Sequence, residues 1–195
     1  PVDFAWIDDA QNNGGKIEGE WKFINKNEGP VFSQQFSRRQ QASKEKTIQH
    51  FFHGANRKIT LSKNDTLFAY VWIDKENPPL TIMLQWNDGN WDHRAFWGQD
   101  KIGFGEIGTD TNAHRFIGKL PQSGQWIRLE VDLTSVGLKP GSEINGMSFA
   151  QYGGTAFWDL AGVRTTRDSQ LRSLHPKEVL AVLPVKHIIR TADQQ

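Results

Sequence analysis

The sequence predicts an all-β domain built as a β-sandwich, and three observations lead there. Short strand-like runs recur along the chain, divided by turn signals. Helical periodicity is absent before residue 165. Eight tryptophans in 195 residues are a heavy aromatic load, and aromatic rings favour the pleated, half-buried surface of a sheet.

Residues 1–18 hold Trp6, the acidic pair Asp8-Asp9 and a polar Gly-rich stretch, and read as loop. Strands are predicted over 20–24, 47–53, 58–61, 66–74, 80–86, 91–97, 126–133, 146–152 and 155–160. Turn chemistry separates them at Lys63-Asn64-Asp65, Asn77-Pro78-Pro79, Lys139-Pro140-Gly141 and Gly153-Gly154. In 126–133, Ile127, Leu129, Val131 and Leu133 alternate with Arg128, Glu130 and Asp132, the pattern of a strand with one wet face. In 67–73 both faces are apolar, which predicts a central strand or one beneath a binding platform.

The character changes near Val163. Residues 1–162 read as the sandwich, and 163–195 as a short helical or extended tail. Pro176 is placed to open a helix over 177–183. Thr191 and Gln194 carry a helix-start signature near the last residue, so the chain is expected to be a domain of a larger protein.

Composition narrows the function. Hydrophobic residues at 37% and charged residues at 23% exclude a disordered chain, and no apolar run approaches the roughly 20 residues of a membrane helix. A net charge of +1 leaves no broad electrostatic footprint for nucleic acid. There is no cysteine, hence neither disulfides nor thiolate metal sites.

The sharpest local feature is the hairpin over 80–97. Asp88-Gly89 reads as a two-residue turn, which pairs Trp86 with Trp91, Leu84 with His93 and Ile82 with Ala95. One face then carries Leu80, Ile82, Leu84, Trp86, Trp91, His93, Ala95 and Trp97. The other carries Thr81, Met83, Gln85, Asp92, Arg94 and Phe96. The first face looks like core, although Trp91 beside the turn can stand exposed at the sheet end. The second joins amide, carboxylate and guanidinium to apolar surface, as a sugar requires, and a solvated face with an Asp–Arg pair is its plain alternative. Candidate ligand contacts are Trp72, Gln85, Trp91, Asp92, Arg94, Phe96 and Tyr152.

No catalytic signature stands out. His50 and His53 are three apart and so face opposite ways on a strand, which prevents joint chelation. Gly103-x-Gly105-x-x-Gly108 has the letters of a dinucleotide loop without a preceding buried strand or a following helix. A non-enzyme is expected.

Several motifs carry a resemblance. Thr66-Leu-Phe-Ala-Tyr-Val-Trp-Ile-Asp74, Met83-Leu-Gln-Trp-Asn-Asp-Gly89 and His93-Arg-Ala-Phe-Trp-Gly98 are among them. So are Leu120-Pro-x-x-Gly-x-Trp126-Ile-Arg-Leu-Glu-Val131 and Phe149-Ala-Gln-Tyr-Gly-Gly-Thr-Ala-Phe-Trp-Asp159. Together they resemble an accessory domain of the large multidomain cytochrome c proteins of planctomycetes. The closing pattern is similar to the last strands of jelly-roll carbohydrate-binding modules. The resemblance implies a non-catalytic module that binds polysaccharide outside the cytoplasm, with neighbouring domains of the same parent chain as further partners. It also implies a structural Ca²⁺ near the final strand, held by Asp159 with an acid near the N-terminus, Asp8 or Asp9, of which Asp9 is taken as the ligand. Two other readings stay open: a docking domain that positions its neighbours, and a hydrolase with two acids in a cleft.

Overall fold

The computed structural model describes residues 1–10 and 13–166. Residues 167–195, which include the helix expected at 177–183 and the Thr191–Gln194 signature, lie outside the described residues. Within them the chain is a β-sandwich.

Twelve strands follow in chain order: β1 (Val2–Ile7), β2 (Lys16–Gly19), β3 (Lys22–Asn25), β4 (Phe36–His53), β5 (Ile59–Thr60) and β6 (Thr66–Ile73). Then come β7 (Thr81–Asn87), β8 (His93–Gly98), β9 (Arg115–Gly118), β10 (Trp126–Asp132), β11 (Glu143–Ile144) and β12 (Gly146–Thr165). One 3₁₀ turn, Leu133–Val136, follows β10 and is capped by the Asp132 side chain. Hydrogen bonds join ten strands into one continuous sheet, and β5 pairs with β11 apart from it.

The sheet makes a sandwich because its two longest strands fold over. The ring centroids of Phe149 and Trp158, both on β12, are 5.3 Å apart. Nine residues of straight strand would separate them by about 30 Å. On β4, Arg38 Nε donates to His50 Nε2 at 3.1 Å, twelve residues along the same strand. Gly153 and Gly154 turn the corner in β12, with φ of 65° and 69°. A β-carbon at Gly154 would lie 2.3 Å from the Pro79 nitrogen, so both the backbone and the packing require glycine there. Alongside, residues 43–46 of β4 oppose Gly153 alone.

The front layer runs β9-β8-β7, the first arm of β12, the second arm of β4, then β2. The back layer contains β10, β6, the second arm of β12 and the first arm of β4, with β1 and β3 at its margin. Between the layers lies one core, in which Trp6, Trp86, Trp158, Phe52 and Phe149 are fully buried. The apolar second face of β6 is explained too. Phe68 and Tyr70 form a cluster with Leu160, covered by Phe32, which stacks on Tyr70 at 3.8 Å, and by the Arg128 guanidinium over Phe68.

Three expectations change. Residues 1–18 contain β1 and β2 rather than loop alone. The runs at 146–152 and 155–160 are one strand, and it continues beyond residue 162 to Thr165. The hairpin has no two-residue turn: Gln85 pairs with Arg94, Leu84 with Ala95 and Ile82 with Trp97. Side chains organise the longer loop. Asn87 Oδ1 accepts from the Gly89 amide and Asn90 Oδ1 from the Asp92 amide, while His93 contacts Asp88 at 3.0 Å. The slip is two residues, so each side chain keeps its face. Leu80, Trp91 and Asp92 leave the ladder.

Replacing Gly154 with alanine should cost roughly 3 kcal/mol, through a strained backbone and the clash with Pro78-Pro79. Gly103→Ala, where a β-carbon meets nothing within 4 Å, should cost less than about 0.5 kcal/mol. Urea unfolding of the two variants measures both, and equal midpoints would remove the bend from its structural role.

Candidate functional site

The outward face of the front layer carries a row of polar side chains across four strands. Pairing places Arg94 of β8 beside Gln85 of β7, Gln85 beside Ser148 of β12, and Ser148 beside Phe51 of β4. Arg94 Nε donates to Gln85 Oε1 at 2.8 Å. Gln85 Nε2 donates to Ser148 Oγ at 2.9 Å and to Gln49 Oε1 at 3.0 Å. Ser148 Oγ donates to the same Gln49 oxygen at 2.8 Å. Gln85 and Ser148 are buried, so this network forms a fixed floor rather than a solvated surface.

Aromatic rings wall the floor. Trp91 meets Phe51 edge-on at 5.6 Å, and Phe104, on the loop between β8 and β9, also lines the cleft. The cleft has a volume of about 180 Å³. The loop carrying Phe104 is latched down: His114 contacts Asp100 Oδ1 at 2.6 Å and the Phe104 carbonyl at 2.7 Å, and Asp100 Oδ2 accepts from the Gly108 amide. Ile102 of this loop packs on Met83, Phe96 and Ala150. Burial draws the Arg94 guanidinium below its ordinary pKa, against the attraction of Asp92.

Of the seven candidate ligand contacts, Gln85, Trp91 and Arg94 line the cleft. Asp92 sits at its rim, 3.4 Å from Arg94. Phe96 is buried beneath the latched loop, with Tyr152 half-buried beside it. Trp72 belongs to the back layer, where it packs against Trp126. Gln49, Ser148, Phe51 and Phe104 were not anticipated. Alternation in Gln49-His50-Phe51-Phe52-His53 marks Gln49 and Phe51 as sharing a face, but only the pairing of β4 with β12 shows which face.

A second polar cluster lies inside. Arg38 is fully buried between the layers, 4.7 Å from the Phe149 ring centre. It donates to the Asp159 carbonyl at 3.0 Å and to the Asp8 carbonyl at 3.4 Å. Burial lowers the Arg38 pKa to about 10, against the pull of Asp159 and Asp8. Asp159 Oδ2 accepts the Phe32 and Ser33 amides, and Asp8 Oδ2 accepts Ser33 Oγ and Gln34 Nε2. The two carboxyls lie within hydrogen-bonding reach of each other, and the Oδ1 atom of each has no other partner. The acid that meets Asp159 is thus Asp8. Asp9 accepts the Gln35 and Phe36 amides instead.

This donor set does not suit Ca²⁺. The ion takes six to eight oxygens. Here only two carboxylate oxygens lack a hydrogen-bond partner, and Arg38 already occupies the carbonyls of the same residues. Burial first, and the Asp8 charge after it, push Asp159 up to about 7 against the bonds from Ser33 and Phe32.

No family profile and no curated protein matches the chain. Solved structures of similar shape include TmCBM61 in complex with β-1,4-galactotriose, 10% identical over 80% of this chain and 97% of that one, with a TM-score of 0.44. A carbohydrate-binding module of the β-sandwich superfamily with promiscuous specificity is 13% identical over 84% and 63%, with a TM-score of 0.48. SGBP-B from a xyloglucan utilization locus in Bacteroides uniformis is 14% identical over 80% and 49%, with a TM-score of 0.47. These are likenesses of fold alone.

The carboxyl pair sets a pH dependence. The folded state keeps a proton on Asp159 that the unfolded chain releases near its ordinary value of 3.8. Its stabilising contribution is therefore full below that value, falls as pH rises toward 7, and is flat beyond. The melting-temperature difference between wild type and Asp159→Asn should shrink across that interval, as thermal melts in a chelator will show. Millimolar CaCl₂ should leave the wild-type melting temperature unchanged within about 1 °C, whereas a tight site would raise it by several degrees.

Proposed function

We propose that the protein is a non-catalytic carbohydrate-binding module that takes a saccharide chain in the cleft of the front layer. The hydrogen-bonded floor of Arg94, Gln85, Gln49 and Ser148 between aromatic walls carries this reading. A pyranose ring has an apolar C–H face that packs on Trp91 or Phe104, and hydroxyls that exchange bonds with guanidinium and amide groups. The lining is amide, guanidinium and aromatic, a set that binds and orients a neutral polar ring. On this reading the protein works outside the cytoplasm, where polysaccharide is met.

A docking role draws on a separate observation: β9, an edge strand of the front layer, exposes Phe116 and Ile117 at 49% and 37%. The two readings separate by variant. Phe116→Asp should abolish association with flanking segments of a parent chain and leave glycan binding intact, as pull-down and titration will show.

Affinity electrophoresis against a panel of neutral, acidic and sulfated polysaccharides tests the main reading. At least one should retard the wild type, and Trp91→Ala should weaken that binding tenfold or more, about 1.4 kcal/mol. No retardation by any glycan would overturn it.

A further inference from the structure

The larger cavity lies beside the cleft, at the corner of β4. The chain from β2 to β3 takes a short cut: Gly19 pairs with His50 and Lys22 with Arg39. Three residues thus span what β4 covers by running from Arg39 round its bend to His50. Between those points no described strand pairs this edge of β4, since its partner there is β12 on the other side. Gly19 permits the short cut, for a β-carbon on it would sit 2.3 Å from the Gln49 carbonyl oxygen.

The result is an open bay of about 420 Å³, lined among others by Glu20, Arg39, Gln41, Ser43, Lys46 and Gln49. Two cations face one carboxylate, among amides and a hydroxyl. Arg39 donates to Gln41 Oε1 at 2.6 Å, while its Nε is shielded from solvent and has no hydrogen-bond partner. Gln49 lines the bay and the cleft alike, with its oxygen held by Gln85 and Ser148.

We propose that cleft and bay form one binding track joined at Gln49, and that the bay takes an anionic sugar unit of the chain whose apolar face packs in the cleft. The inference rests on the carbohydrate-binding reading and names its ligand class: an oligosaccharide bearing carboxylate or sulfate ester. Arg39 and Lys46 supply the positive charge that either oxyanion requires, Lys46 as a mobile point charge.

Calorimetric titration at low ionic strength tests it, with oligomers of a polyuronate, a sulfated galactan and an uncharged galactan. The wild type should prefer at least one anionic oligomer over the uncharged one. Preference for the polyuronate identifies carboxylate as the recognised group, and preference for the sulfated galactan identifies sulfate. Arg39→Gln with Lys46→Gln should reduce that selectivity tenfold or more, and the exposed Lys46→Gln alone about threefold, which guards against misfolding at Arg39. Trp91→Ala should weaken anionic and uncharged oligomers together. Unchanged selectivity in the double variant overturns the bay, while the cleft reading survives on Trp91. Anionic binding that depends on Arg39 but ignores Trp91 overturns the single track and the cleft reading with it.

Discussion

The shared bend of β4 and β12 is the constraint on which the molecule depends. A sandwich usually joins its layers through loops, each strand belonging to one sheet. Here two paired strands pass through the corner together, so the hydrogen-bond ladder continues from one layer to the next. The bend lets Phe149 meet Trp158 and Phe52 meet Trp6, and so builds the core. It also opens the edge. Where β4 swings outward through residues 43–46, β2 and β3 pair only with its ends. The bay is the geometric remainder of that corner, and the cleft lies across the same arm of β4. Core and candidate binding surface have one origin.

Inside the corner sits a feature a sandwich core would ordinarily avoid. A buried guanidinium costs several kcal/mol in desolvation unless it is paired and hydrogen-bonded. Arg38 is compensated by two backbone carbonyls, the ring face of Phe149, a histidine nitrogen and the adjacent acid pair. His50 answers in kind: burial first and Arg38 second hold its pKa well below the ordinary value, so its Nε2 stays an acceptor. The cluster ties three separate segments together. The end of β1 enters through Asp8, the 32–34 loop through its amides and Gln34, and β12 through Asp159 at its bulge. Removing one member leaves the others buried with unmet charge, so the group constrains the corner as a unit.

Much of this was legible in the sequence, and the rest was hidden for physical reasons. The strand runs were visible because alternation has period two and burial enforces it. The hairpin faces came out right from a wrong turn, since a slip of two residues conserves the side of the sheet. Asp88-Gly89 misled there: the pair reads as a two-residue turn, yet Asn87 and Asn90 on either side each spend an Oδ1 on a local backbone amide and lengthen the loop. Gly153-Gly154 misled in the other direction, because a glycine pair marks a break in the chain's direction and says nothing about whether pairing continues through it. Asp8 and Asp9 are indistinguishable as letters; the turn after β1 decides which reaches Asp159. The half of the floor contributed by β4 and β12 was out of reach, because Gln49 and Ser148 are 99 positions apart and meet only through strand order.

Tryptophan shows where composition stops informing. Trp6, Trp86, Trp97 and Trp158 are core, and Trp72 and Trp126 pack together on the back layer. Only Trp91 reaches the cleft, and it does so by leaving the ladder. Aromatic number therefore reports the fold, through the area each ring buries, and not the ligand. The candidate binding surface is marked instead by polar side chains placed where an outer face would otherwise close with apolar contacts. Gln85 commits both amide hydrogens and its oxygen to neighbours, and it does so while only 4% exposed. A residue so fixed does not gain its own solvation, and it loses rotamer freedom. What the arrangement does achieve is to hold Arg94 and Gln49 in place before any ligand arrives, so that little ordering entropy is lost on binding. Rigidity in a polar row, more than aromatic display, separates a binding face from a merely wet one.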